Sequence, residues 1–236
     1  MARIAVEYEL VLVSDEMYRD LVHEPGTLSS PLEHAPVETI VTGGPSKSLA
    51  LGGWRLGTVR LPDSQLGREV RRGLSAVASE VWSCVPSPIV RAAALAYDEP
   101  AELTEFVADG LRLHAQVVGA LHREVAAAGL ECRPPGAAFY LYPELRAQPE
   151  SVRTSEELAA RLLEEADVAV LPGTAFGDEP ETLAFRASTS LLYGATTEER
   201  HEALAAAKEG AVAELPRVAD ALRRVRAALE ELRGWA

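Results

Sequence analysis

Cysteine is scarce in this chain: Cys84 and Cys132 stand far apart, with no CxxC and no histidine pair nearby. Neither a disulfide framework nor a zinc site is expected from such spacing, and both read as ordinary thiols. Lysine is equally scarce, since the basic residues are arginines apart from Lys47 and Lys208. Arginine stays protonated and cannot act as an amine nucleophile, so a chain that otherwise uses it would still need lysine to form a Schiff base. Lys208, in a polar helical stretch, reads as incidental. Positive charge is in deficit, with 36 acidic residues against 23 basic ones and a formal net charge of −13. A phosphate backbone or an anionic membrane surface would repel such a chain, so neither nucleic acid nor membrane is an expected partner. Long apolar runs are missing too, because charge breaks the alanine-rich segments well short of a bilayer span. The opening MARIAVEYELVLVSDE lacks a basic n-region, a long apolar stretch and a small-residue cleavage site. No signal peptide is read there, and a cytoplasmic location is expected.

What is present is a globular composition, 236 residues with 47% hydrophobic side chains, enough for one large domain or two small ones. Residues 2–9 read as the end of a helix, and Leu10 to Ser14 (LVLVS) as a buried parallel strand with Asp15 at its end. Glu24 to Val37 carries three prolines and a glycine and reads as a loop, followed by a strand at Glu38 to Thr42. A strand is expected at Arg55 to Arg60, and SQLGREVRRGLSAVASEVW has the spacing of an amphipathic helix. Glu99 to Ala128 is one long helical pattern closed by Gly129. Beyond it the reading gives a β-rich GAAFYLYPEL (Gly136 to Leu145), a helix at Ser155 to Ala166, and strands at Val168 to Leu171 and Thr182 to Ser188. Two helices follow from Thr197 to Arg233, broken at Pro216. Phe139, Tyr140 and Tyr142 read as an ordinary strand. His114 and His122, about two turns apart on a helix, read as solvated or core positions rather than ligands.

The chemistry concentrates in GGPSKSLALGGWRLG, Gly43 to Gly57. Glycines permit tight turns and close approach of a ligand to the backbone. A lysine follows the first turn, and Arg55 precedes a further glycine. Partial desolvation or a cationic neighbour activates an amine, and a guanidinium fork suits phosphate oxygens.

This segment resembles the cofactor-lysine signature of class I/II aminotransferases, which use pyridoxal 5′-phosphate (PLP). The resemblance puts Lys47 on the Schiff-base lysine and Arg55 on the phosphate arginine, with Ser46 among the cofactor contacts. VLVSDEMYRDL resembles the family's strand-end motif, which implies Asp15 as the partner of the pyridine nitrogen and Tyr18 as the partner of the ring hydroxyl. PGAAFYLYPEL and ADVAVLPGTAFG resemble segments of the small domain. LAFRASTSLLYG resembles the segment whose arginine binds the substrate α-carboxylate, which implies that role for Arg186. The physical logic of the set is that a buried carboxylate at Asp15 would keep the ring nitrogen protonated, while Lys47 would serve as anchor and proton carrier.

The implied fold is α/β: a partial PLP-dependent transferase (fold type I) large domain with a C-terminal α+β small domain. Its parts would be residues 1–97 of the PLP-binding large domain, a connecting helix at 98–129, and the small domain at 130–236. The implied activity is transfer of an amino group between an amino acid and a 2-oxo acid, in a homodimer. The resemblance covers nearly the whole chain but little more than half of a family sequence. The family's phosphate loop, ring-stacking aromatic and ring-oxygen asparagine are not placed, and Gly44 stands where many relatives have a phosphate-binding serine. Exposed strand edges and apolar faces are therefore expected. Alternatives are a PLP-dependent lyase, decarboxylase or synthase of the same fold, or a non-catalytic fragment or half of a split enzyme needing a complementing N-terminal half. A transcription regulator fused to such a domain ranks lowest, since no basic helix-turn-helix segment occurs.

Overall fold

The structure is a computed structural model, and it describes residues 1–146, 149 and 151–231. The chain divides into two compact units, Met1–Ala108 and Asp109–Ala236, with the division falling inside one long helix.

The first unit opens with a short helix, α1 (Ala2–Glu7), and a strand, β1 (Leu12–Asp15). Two more strands, β2 (Thr39–Gly43) and β3 (Thr58–Arg60), complete a three-stranded sheet in the order β1-β2-β3. β1 pairs parallel with β2, placing Asp15 opposite Thr42, and β3 returns antiparallel with Val41 opposite Arg60. β3 is shorter than its sequence suggests because Arg55 is left-handed (φ 54°, ψ 40°), closing a 3-10 turn at Gly52–Trp54. β1 is not the buried strand its apolar run implies. It lies at a sheet edge, and Val13 is 66% exposed.

Helix α2 (Gln65–Val81) begins where Ser64 caps the backbone N–H of Gly67 at 3.3 Å. Gly67 is required there, since a Cβ would lie 1.9 Å from the Pro62 carbonyl oxygen. A helix absent from the sequence reading, α3 (Ser87–Tyr97), follows. Then comes α4 (Ala101–Ala127), closed by left-handed Gly129 (φ 79°). Among the described residues no helix is long and apolar enough to cross a membrane.

The second unit is built on the rest of α4, whose Leu113, Val117, Leu121 and Val125 recur at helical spacing and are all buried. Strand pairing is sparser than GAAFYLYPEL implies: β4 is Tyr140–Leu141 alone, with isolated bridges from Glu144 to Glu131 and Ala184. Ala138, left-handed at φ 56°, interrupts the extension before it. Helix α5 (Ser155–Ala166) starts at Thr154, whose hydroxyl accepts the Glu157 N–H. Left-handed Asp167 ends it and pushes strand β5 to Leu171–Pro172, later than expected. β6 (Phe185–Ser188) lies centrally in the sheet β4-β6-β5, antiparallel to both neighbours.

Helices α6 (Thr197–Lys208) and α7 (Pro216–Glu231) finish the described chain. Pro216 is the first residue of α7, where its missing N–H costs nothing. Residues 232 and 233, at the end of the helical stretch read from sequence, lie outside the described residues. Leu158, Leu162, Val212, Val218, Leu222 and Leu229 join the α4 residues in one core. The Gln116 side chain ties α4 to the α6–α7 connection, donating to the Ala207 carbonyl at 2.7 Å and accepting from the Val212 N–H at 3.4 Å.

Candidate functional site

Five of the residues singled out from sequence lie in the first unit. The parallel pair β1 and β2 delivers two chain segments to one end of the sheet: Asp15 closes β1, and the lysine turn leaves β2 at Gly43. In that turn the carbonyl of buried Pro45 accepts the N–H groups of Leu49 (3.2 Å) and Leu51 (3.3 Å), wrapping residues 46–51 around it. Lys47 and Ser46 are half-buried on this wrap. The Lys47 Nζ stands 5.7 Å from the centre of the Tyr18 ring, so the amine and the phenol predicted to act together are neighbours.

Asp15 differs from its expected setting. Its carboxylate accepts a hydrogen bond from the Thr42 hydroxyl at 3.2 Å, yet the residue is exposed rather than buried, because it shares the outward face of β1 with Val13. The buried carboxylate here belongs to its neighbour Glu16. It accepts from the hydroxyls of Ser30 and Ser14 (3.2 Å for Ser14) and pairs with the Arg19 guanidinium at 2.9 Å. Glu16 thereby pins the loop that carries Ser30. A DE pair at a strand end marks both carboxylates, but only the pleat, with side chains alternating faces, decides which one turns inward.

Arg55 is exposed, and its guanidinium turns back on its own turn, donating to the Gly52 carbonyl at 2.8 Å. Gly44 has a reason in this backbone. A Cβ there would come within 2.9 Å of the Leu56 carbonyl oxygen, so a serine could enter only if the backbone moved. A cavity of about 530 Å³ opens nearby, lined by Met17, Val41, Leu49, Trp54, Tyr97 and Leu103 among others. Asp15, Tyr18, Ser46, Lys47 and Arg55 are not among its lining residues. Trp54 serves that apolar wall.

Arg186 belongs to the second unit, half-buried on β6. Its guanidinium carbon stands 4.6 Å from the Tyr140 ring centre and 4.7 Å from that of Phe176. Tyr142 meets Phe176 edge-on (5.6 Å, 89°), and its hydroxyl donates to Asp178 at 2.6 Å. Burial and that bond push the Tyr142 hydroxyl up to about 12, so it stays a donor at neutral pH. Tyr140 and Phe176 escape a sequence reading because their role depends on strand register across β4, β6 and β5. His114 packs on Phe139 at 4.8 Å, and His122 bonds the Cys132 carbonyl at 3.2 Å. Among the described residues no group of three or more metal-ligating side chains occurs.

The model of the family "Aminotransferase class I and II" matches residues 1–206. An aspartate aminotransferase of Geobacillus stearothermophilus is 31% identical over 196 residues, covering 81% of this chain and 48% of that protein. An aspartate/prephenate aminotransferase of Thermus thermophilus is 34% identical over 178 residues, 75% and 43% respectively. The crystal structure of an aromatic aminotransferase from Pyrococcus horikoshii superposes with a TM-score of 0.70 at 27% identity, covering 89% of this chain and 53% of that one. The chain thus has the fold of PLP-dependent transferases of fold type I, as a partial domain, and spans about half the length of the relatives it matches. By the extent of the family match and the order of its motifs, this chain belongs to the aminotransferase class I and II family.

Proposed function

We propose that this chain carries the PLP-holding and substrate-carboxylate elements of an aminotransferase that moves an amino group between an amino acid and a 2-oxo acid. The family is PLP-dependent, and the side chains at the end of β1 and β2 fit that group: an amine beside a phenol, with a carboxylate one strand away. When bound, PLP supplies an electron sink for charge developing at the substrate Cα. Lys47 is the residue that would hold it and then carry a proton to and from the substrate carbon. Asp15 would face the ring nitrogen, Tyr18 the ring oxygen, and Ser46 and Arg55 the phosphate. Arg186 would fix the substrate α-carboxylate, so that orientation is set by a different residue from the proton carrier.

The observation that carries this reading is the approach of Lys47 Nζ to the Tyr18 ring, on adjacent turns that leave parallel strands in step. Its test is the visible spectrum of the purified chain with added PLP, before and after borohydride. A band should appear that reduction fixes as a mass increment on the Lys47 peptide, and Lys47→Ala should abolish it.

A second reading has its own support. β1 offers an unpaired outer edge, and Leu10, Val11 and Val13 beside it are exposed, as a strand would leave them when its neighbour comes from another chain. On this reading a complementing N-terminal half, or a homodimer partner, completes the cofactor site. Absence of the band from wild-type chain alone, with its return when such a half is co-expressed, would favour it.

A further inference from the structure

Most partly buried arginines of this acidic chain are neutralised. Arg161 pairs with Glu165 at 2.8 Å, and Arg217 pairs with Glu202. Arg186 is different: among the described residues its guanidinium makes neither an ion pair nor a side-chain hydrogen bond, and two aromatic rings stand against it instead. The rings come from either side of β6. Tyr140 lies on β4, where it opposes Ser188, two residues from Arg186 on the same face. Phe176 ends the 3-10 turn Gly173–Phe176 that follows β5.

That turn is itself held. Asp178 receives the Tyr142 hydroxyl, and a Cβ on Gly173 would lie 2.8 Å from the Asp178 carboxylate, so glycine is what lets the carboxylate seat. Tyr142 in turn packs edge-on against Phe176. Ring faces attract a guanidinium electrostatically yet offer no lone pair that would use up its N–H groups. The cation is therefore fixed in place with its donors still available. A carboxylate at the same distance would also fix it, but would neutralise it.

We propose that Tyr140 and Phe176 are positioning residues that hold Arg186 as an unneutralised receptor for a substrate carboxylate, with the Tyr142–Asp178 hydrogen bond keeping Phe176 in place. The inference rests on the reading of Arg186 as the carboxylate receptor, and the experiment separates the two. The 15N-labelled 236-residue chain is titrated with maleate, with sodium chloride as a matched control, while the Arg186 Nε–Hε NMR signal is followed. Arg186→Lys assigns that signal by removing it.

Wild type should show a saturable shift. Phe176→Leu and Tyr140→Leu should each weaken maleate binding roughly fivefold, the scale of one lost cation–π contact, whereas Tyr140→Phe should bind as wild type does. Phe176 is 45% exposed, so its truncation spares the core and carries the test should Tyr140→Leu not fold. Unchanged affinity in the leucine variants, with the Arg186 shift intact, overturns the positioning role and leaves the receptor. No shift at Arg186 in wild type overturns the receptor and the positioning role together.

Discussion

From Asp109 onward the apolar side chains of α4, α5 and α7 meet in one core that holds Leu113, Val117, Leu121, Leu158, Leu162, Val218 and Leu222. In the first 108 residues the buried apolar set is small, with Ala5, Leu21, Ala35, Ile40 and Ala93, while Leu74, Val77, Val81, Trp82 and Leu95 face solvent along α2 and α3. Both regions contain amphipathic helices with similar patterning. The difference teaches that a hydrophobic stripe fixes which face of a helix asks to be covered, and leaves open what does the covering. Lys47, proposed to hold the cofactor, sits in the less covered region, and Arg186, proposed to receive the substrate carboxylate, in the better packed one.

The sharpest way to break this comparison is to make the same truncation in both regions. Leu158 on α5 is fully buried, so Leu158→Ala should cost about 2–5 kcal/mol of stability. Leu95 on α3 is 68% exposed, and Leu95→Ala should stay within about 0.5 kcal/mol. Urea unfolding followed by ellipticity measures both, and equal losses would mean that the apolar faces of the first region are covered in solution. A smaller effect, about 1–3 kcal/mol, is expected for Gly67→Ala. The Pro62 carbonyl leaves no room for a Cβ at the first turn of α2, so this position should be as strict as the well-packed region. An unchanged melting temperature would show that the start of α2 yields easily.

The helix read at Ser155 to Ala166 matches α5 to the residue, and what bounds it in the structure is local: Thr154 caps its first turn, and buried Leu158 and Leu162 lie one turn apart. The lysine motif was legible for the same reason, since Gly43 to Gly57 is one continuous segment, and the family it resembles is the family the chain belongs to. Non-local features were not legible. Arg55 reads as part of a strand, but backbone bonding in the Gly52–Trp54 turn drives it left-handed. Exposure of Asp15 and burial of Glu16 depend on which face of β1 the rest of the chain covers. The rings against Arg186 come from segments that β-pairing brings together. Lys208 reads as an incidental lysine, and the structure gives it a partner in Asp109.

That partner supplies the smallest loss expected at a buried position, in the well-packed region. Asp109 is buried, bonded to the Arg112 guanidinium and 3.0 Å from the Lys208 ammonium. Burial alone would raise its carboxyl, but the hydrogen bonds and charges of Lys208 and Arg112 outweigh it and hold the group below its ordinary value. A carboxyl lowered on folding stabilises the fold fully above its unfolded pKa, about 3.9, and loses that contribution as pH falls through the folded value. Asp109→Asn should therefore cost about 1 kcal/mol near neutral pH, a modest figure because both cations are about half exposed. The deficit should shrink as pH drops below about 4, where wild type loses the charge as well. Urea midpoints of the two proteins between neutral and acidic pH would show the curves converging. Parallel curves would mean that Asp109 acts through packing and not through its charge.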